Sequence, residues 1–254
     1  MAGRALCAAV HCAVVSWYIV SLIENESVTR KNVVLGRNTY GGKWKFLTFL
    51  DMVLQTAYFC VALVVDILGQ DHDGQRNTAP RGVQKLRNYM FAILAFPVGL
   101  FVVLTFWMIY AFDRELIYPT YLDLVIPVWL NHAMHTTVMP LLLLEMKIIP
   151  HVYPQRGVGI AGVISFGICY LIWTLWIRYA GGLWVYPILA WLAGPGLVVF
   201  ILLGGLVLTG LYMLGEVMNV CLWPRLEGNG HSVGTYGPSR CPSSRVFRLN
   251  ALIL

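Results

Sequence analysis

The sequence predicts an all-α, polytopic integral membrane protein with about six transmembrane helices in one bundle. Three observations carry this. Hydrophobic residues make up 58% of the 254-residue chain and charged residues only 12%, against roughly 25% charged in soluble domains. Mean hydropathy is +0.69. Several apolar runs also reach the roughly 18 residues that mark a spanning helix.

The first span is expected over about 5–23, after Arg4. Its apolar part is long and no small-x-small cleavage site follows, so it reads as a signal anchor, with His11 packed inside it. A polar loop is expected over 24–45, where Asn25-Glu26-Ser27 forms a glycosylation sequon usable only in a lumenal loop. The second span, about 46–69, carries Thr48, Asp51, Gln55 and Asp66. At helical spacing all four fall within about 60° of Thr48, one stripe that must face the bundle interior.

A polar, basic loop containing His72 is expected over 70–88, and a third span over about 89–112, kinked at Pro97. The fourth span, about 122–148, holds Asn131, His132, His135, Thr136 and Thr137 between Pro127 and Pro140, with Glu145 and Lys147 marking its far end. The fifth, about 158–178, is rich in Gly and Ala, which suits close helix packing. Gly194-Pro195-Gly196 divides the last apolar stretch into an interfacial or re-entrant segment, 183–193, and a sixth span over about 196–220. Residues 1–223 thus form one transmembrane domain. Residues 224–254, rich in Gly, Ser, Pro and Arg, are expected to be a disordered tail.

Six spans put both termini on one side, and the Lys and Arg content of the short loops favours the cytosol. The cell membrane is the expected location, with the endoplasmic reticulum as the alternative. The net charge of +6 is scattered over loops and tail, without the basic stripe that a nucleic acid demands. None of the six cysteines forms a CxxC pair, so no zinc module is indicated. The oligomeric state is not legible in the sequence.

Ionisable groups at membrane depth are costly and mark functional sites. A threonine hydroxyl is a weak nucleophile that needs an adjacent base, and histidine takes and returns a proton near neutral pH. Thr48 and His135 could form such a pair, with Asn131 orienting the imidazole or donating to an oxyanion. Histidines at i and i+3, His132 and His135, could instead bind a metal with Asp51 or Glu145, or simply join helices by hydrogen bonds. Spacing leaves all three readings open. It also leaves a tension: His135 lies about 13 residues into its expected span, roughly 20 Å by helical rise, whereas Thr48 starts its own.

Several strings resemble the androgen-induced transmembrane protein family. They are Thr39-Tyr40-Gly41-Gly42-Lys43-Trp44-Lys45-Phe46-Leu47-Thr48-Phe49, Leu94-Ala95-Phe96-Pro97-Val98 and Asp113-Arg114-Glu115-Leu116-Ile117-Tyr118-Pro119. Ile126-Pro127-Val128-Trp129-Leu130-Asn131-His132-Ala133-Met134-His135-Thr136, Trp184-Val185-Tyr186-Pro187 and Leu214-Gly215-Glu216-Val217 follow in the same order. The resemblance spans about residues 8–223 and leaves out the tail. It implies a membrane-embedded threonine hydrolase that cleaves fatty acid esters of hydroxy fatty acids, the lipid ester entering from the bilayer. Thr48 matches the nucleophile and His135 the histidine base. Asn131, Asp51 and His132 are then supporting candidates, and neither a metal nor an organic cofactor is implied. The rival expectation is a non-enzymatic receptor or transporter, or a metal-binding lipid-modifying protein built on His132 and His135.

Overall fold

The computed structural model describes residues 2–31, 39–69, 79–192 and 194–224; the expected tail and His72 lie outside the described residues. The regular structure among the described residues is entirely helical. The helices are α1 (Ala2–Lys31), α2 (Leu47–Leu68), α3 (Arg81–Tyr89), α4 (Phe96–Asp113), α5 (Val128–His135), α6 (Val138–Ile148), α7 (Arg156–Gly181), α8 (Pro187–Trp191) and α9 (Pro195–Leu222). Five continuous helical stretches among the described residues are long and apolar enough to cross a membrane: Ala5–Lys31, Leu47–Leu68, Arg81–Leu116, Arg156–Gly181 and Pro195–Leu222. The expected fourth span is instead the broken pair α5–α6.

Three boundaries depart from the sequence expectation. First, α1 runs on through residues 24–31, where a loop was expected. That stretch contains neither Gly nor Pro, and Arg30 pairs with Glu26 one turn back at 2.8 Å. Arg30 and Lys31 occupy the last turn, where the helix dipole favours cations. The sequon therefore sits in a helix, its Asn25 amide against the Met134 sulfur at 3.5 Å. Second, residues 81–89 are helical, and the stretch continues through a π-helical turn, Met90–Ala95, into α4. The wider turn relieves the clash that the Pro97 ring would make with the carbonyl four residues earlier. Third, Pro127 does not bend a longer helix but starts α5, where a missing N–H costs nothing.

Helix packing without a solvent-driven hydrophobic force depends on close contact and buried hydrogen bonds. Gly99 of α4 lets α2 and α6 approach: a Cβ there would lie 2.7 Å from both Gln55 Nε2 and Leu142 Cδ1. Gly159 of α7 is covered by the Tyr212 ring of α9. The short segment 183–193, expected to be interfacial or re-entrant, carries the five-residue α8.

At the end of α2 away from Thr48 lies a buried polar cluster. His11 sits between two carboxylates, with Nδ1 2.6 Å from Asp66 Oδ2 and Nε2 2.7 Å from Glu145 Oε2. Glu145 also accepts from the Tyr58 hydroxyl, and His151 lies 3.6 Å from it. Glu145 lies in the last turn of α6, as expected, but it is 1% exposed and ties α1, α2 and α6 together. His11, expected to be only packed, is the centre of that tie.

Candidate active site

The nucleophile candidate is positioned by a tight entry into α2. Gly41 and Gly42 both have positive φ, 78° and 49°, a region that glycine enters without Cβ strain. A Cβ on Gly41 would also lie 2.4 Å from the Ile177 side chain. They lead into a 3₁₀ turn, Gly42–Lys45, and then into α2 with Thr48 as its second residue. The first N–H groups of a helix lack intrahelical partners, and Phe46 at the cap has no polar side-chain atom to offer one. The Leu47 N–H instead donates to the Tyr186 hydroxyl at 2.9 Å.

The base candidate ends α5. There the chain breaks at Thr136-Thr137 before resuming as α6, and both of their N–H groups turn back onto the His132 carbonyl. His135 is 5% exposed. Its ring is stacked on Phe106, with centroids 3.6 Å apart and planes 10° from parallel, and its carbonyl accepts from Trp107 Nε1 at 2.8 Å. His135 Nδ1 is 3.0 Å from the Asn131 carbonyl and 2.7 Å from the Asn131 Oδ1. A carbonyl only accepts, so Nδ1 carries the proton. That leaves the Nε2 lone pair facing Thr48 Oγ1 at 3.2 Å.

The predicted pair, 87 residues apart in sequence, is thus within hydrogen-bond distance. The 20 Å tension disappears because α5 begins at Val128, not near residue 122. Asn131 holds the imidazole, so its oxygen is committed to His135. The other two candidates stand apart. Asp51 accepts from Gln55 Nε2 at 2.8 Å, and that amide also donates to the Ala95 carbonyl. No hydrogen bond joins Asp51 to Thr48 or His135 among the described residues. His132 is exposed, paired with Thr136 Oγ1 at 2.9 Å and stacked on Trp107. Among the described residues, no group of three or more His, Cys, Asp or Glu converges as a metal site would require.

Thr48 opens onto a cavity of about 310 Å³ between α2, α4, α7, α8 and α9. No Asp, Glu, Lys, Arg or His is among its lining residues. Along α9 the lining runs from Leu197 to Leu208, about 16 Å by helical rise. Ile168, Leu175 and Leu202 line it and are also 51%, 43% and 63% exposed, so it opens sideways between α7 and α9 on the apolar face of the bundle. Gly204 and Gly205 widen it: a Cβ there would meet only side-chain atoms of Phe101 and Ile164, at 3.8 Å or more. The polar end collects Thr48, Tyr186 and Tyr170.

The sequence reading missed Phe106, which carries no polar signal, and Tyr186. Interfacial Tyr-Pro pairs commonly end helices at the membrane surface, and nothing local ties residue 186 to residue 48. Nearby, burial pulls the Lys45 ammonium below its ordinary value. The Lys45 side chain donates to Thr39 Oγ1.

Fold and site together define a multi-pass helical membrane protein with a threonine–histidine pair at one end of a lipid-facing cavity. The chain belongs to the FAR-17a/AIG1-like protein family, whose sequence model matches residues 6–220. It is 46% identical over 190 residues to human androgen-induced gene 1 protein, covering 73% of this chain and 79% of that one. It is 37% identical over 215 residues to human androgen-dependent TFPI-regulating protein, covering 84% and 91%. A membrane protein of Schizosaccharomyces pombe is 25% identical over 157 residues, covering 61% and 65%. No solved structure matches.

Proposed function

We propose that this protein is a membrane-embedded threonine hydrolase that cleaves fatty acid esters of hydroxy fatty acids into a fatty acid and a hydroxy fatty acid. The observation that carries the reading is the 3.2 Å approach of His135 Nε2 to Thr48 Oγ1 at the polar end of an apolar cavity open to lipid. Membership of the family fits this substrate class. His135 Nε2 takes the Thr48 proton as the hydroxyl oxygen attacks the ester carbonyl. The same proton is returned to the departing hydroxyl of the hydroxy acid. Water then gives a proton to His135 and attacks the acyl-threonine, freeing the fatty acid and restoring Thr48. Asn131 keeps the imidazole in the tautomer that both steps need. The acyl chain occupies the cavity between α7 and α9.

The reading includes the cell membrane as the location, with the endoplasmic reticulum as the alternative, and cytosolic termini, an orientation that would turn the site to the opposite side. The test is hydrolysis of a fatty acid ester of a hydroxy fatty acid, together with labelling by a threonine-reactive hydrolase probe. Thr48→Ala and His135→Ala should abolish both, and His132→Ala should retain both. Full activity in Thr48→Ala would sink the reading. Activity lost to a chelator and regained with added metal would support the metal reading of the histidines instead.

A further inference from the structure

Attack by Thr48 turns the ester carbonyl into an oxyanion, and a hydrolase needs preorganised donors where that charge appears. Asn131 holds His135 through its oxygens and is not among the residues that line the cavity. The hydroxyl of Tyr186 is a polar group beside Thr48. It accepts from the Leu47 N–H at 2.9 Å, lies 3.5 Å from the Tyr170 hydroxyl, and interacts with both the side chain and the N–H of Thr48. Tyr170 is turned elsewhere, donating to the Lys45 carbonyl at 3.0 Å. With backbone N–H groups occupying the oxygen of Tyr186, its O–H proton is what it has left to give. Tyr186 lines the same cavity as Thr48.

We propose that Tyr186 is a catalytic residue that donates its hydroxyl hydrogen to the oxyanion formed when Thr48 attacks the ester. The inference rests on the threonine-hydrolase reading above. In the step, the Thr48 O–H proton moves to His135 Nε2 and a bond forms from Thr48 Oγ1 to the carbonyl carbon. The carbonyl π pair moves onto oxygen, where the Tyr186 O–H meets it. Collapse restores the carbonyl and expels the hydroxy acid oxygen, which takes the proton from His135. Tyr186 is a donor throughout and is never deprotonated. Burial raises the phenol above its ordinary value, which favours the protonated form. The N–H groups that hold its oxygen belong to the turn carrying the nucleophile, so donor and nucleophile are fixed to one another.

The experiment is Tyr186→Phe in the full-length protein in lipid nanodiscs, read by steady-state kinetics and by binding of two ligands. One ligand is a fatty-chain trifluoromethyl ketone, which forms an oxyanion on Thr48. The other is an inert ether analogue of the ester. We expect kcat to fall about 10²–10³-fold, ketone affinity to fall in parallel, and ether affinity and the pH profile to stay unchanged. A kcat within threefold of wild type overturns the proposal. So does parallel loss of ether binding, which marks Tyr186 as only a cap of α2. If Tyr186→Phe does not fold, fluorinated tyrosines at position 186 take its place. A kcat that tracks phenol acidity at constant thermal stability supports the donor, and a flat response overturns it. Thr48→Ala separates this inference from its foundation. If that variant is inactive while Tyr186→Phe is normal, only the donor role fails; if it is active, both readings fail.

Discussion

Two buried histidines sit near opposite ends of α2, beside Thr48 and Asp66, about 27 Å apart by helical rise, and they are built in opposite ways. His11 has a carboxylate on each ring nitrogen, Asp66 at 2.6 Å and Glu145 at 2.7 Å, and nothing left to offer a ligand. His135 has only neutral partners. One nitrogen is fixed by Asn131, and the other faces a hydroxyl at the edge of a cavity. The first arrangement compensates charge and locks helices; the second holds a proton acceptor ready beside a nucleophile. A buried histidine therefore declares its role through what its second nitrogen meets.

The comparison is broken most severely at the reactive end. Thr48→Ala or His135→Ala should lower ester hydrolysis about 10⁴-fold while leaving thermal stability near wild type. At the locked end the pattern should invert. His11→Ala strips the buried Glu145 and the partly buried Asp66 of their shared partner and should cost about 3–5 kcal/mol of stability. That would be read as a lower melting temperature in detergent, with activity per folded molecule retained. A His11→Ala variant that melts normally but is inactive would merge the two sites and contradict the distinction.

The cavity gives a smaller, graded effect. Gly205→Leu should fill the space between α7 and α9 and reduce turnover of long-chain esters about 10–100-fold. Short-chain esters should be little affected, so a chain-length series checks it.

His151 gives an effect that is silent near neutral pH and grows only as the solution is acidified. Burial, outweighing the nearby Glu145, pulls its pKa from 6.5 to about 3, with Arg87 and His11 acting in the same direction as burial. The unfolded chain therefore binds a proton between about pH 6.5 and 3 that the folded chain refuses. This share of stability is present above pH 6.5 and lost as pH falls towards 3, by at most about 1.4 kcal/mol per pH unit. His151→Phe should flatten that acid-side slope in a melting series.

The helix periodicity of α2 made the interior stripe legible, whereas the pair now seen 3.2 Å apart was singled out only by the family resemblance that the Asn-His-x-Met-His-Thr string carries. The break at Thr136-Thr137 was legible in part: Pro140 cannot donate to the Thr136 carbonyl and its ring crowds it, which signals a bend but not that one helix ends and another begins. The extension of α1 to Lys31 was not legible: hydropathy reports where lipid ends, whereas a polar helix without Gly or Pro simply continues past it. The partners of Glu145 and Leu47, His11 and Tyr186, lie 134 and 139 residues away. Long-range pairing of that kind leaves no local pattern in one sequence.

The most direct test of the central claim is to trap the acyl-enzyme. The purified protein is mixed with a fatty acid ester of a hydroxy fatty acid, quenched in acid within one turnover, digested and analysed by mass spectrometry. The account predicts a fatty acyl group on the peptide containing Thr48, absent from Thr48→Ala and from His135→Ala. Hydrolysis that proceeds with Thr48 unmodified, or an acyl group on another residue that persists in Thr48→Ala, would contradict it.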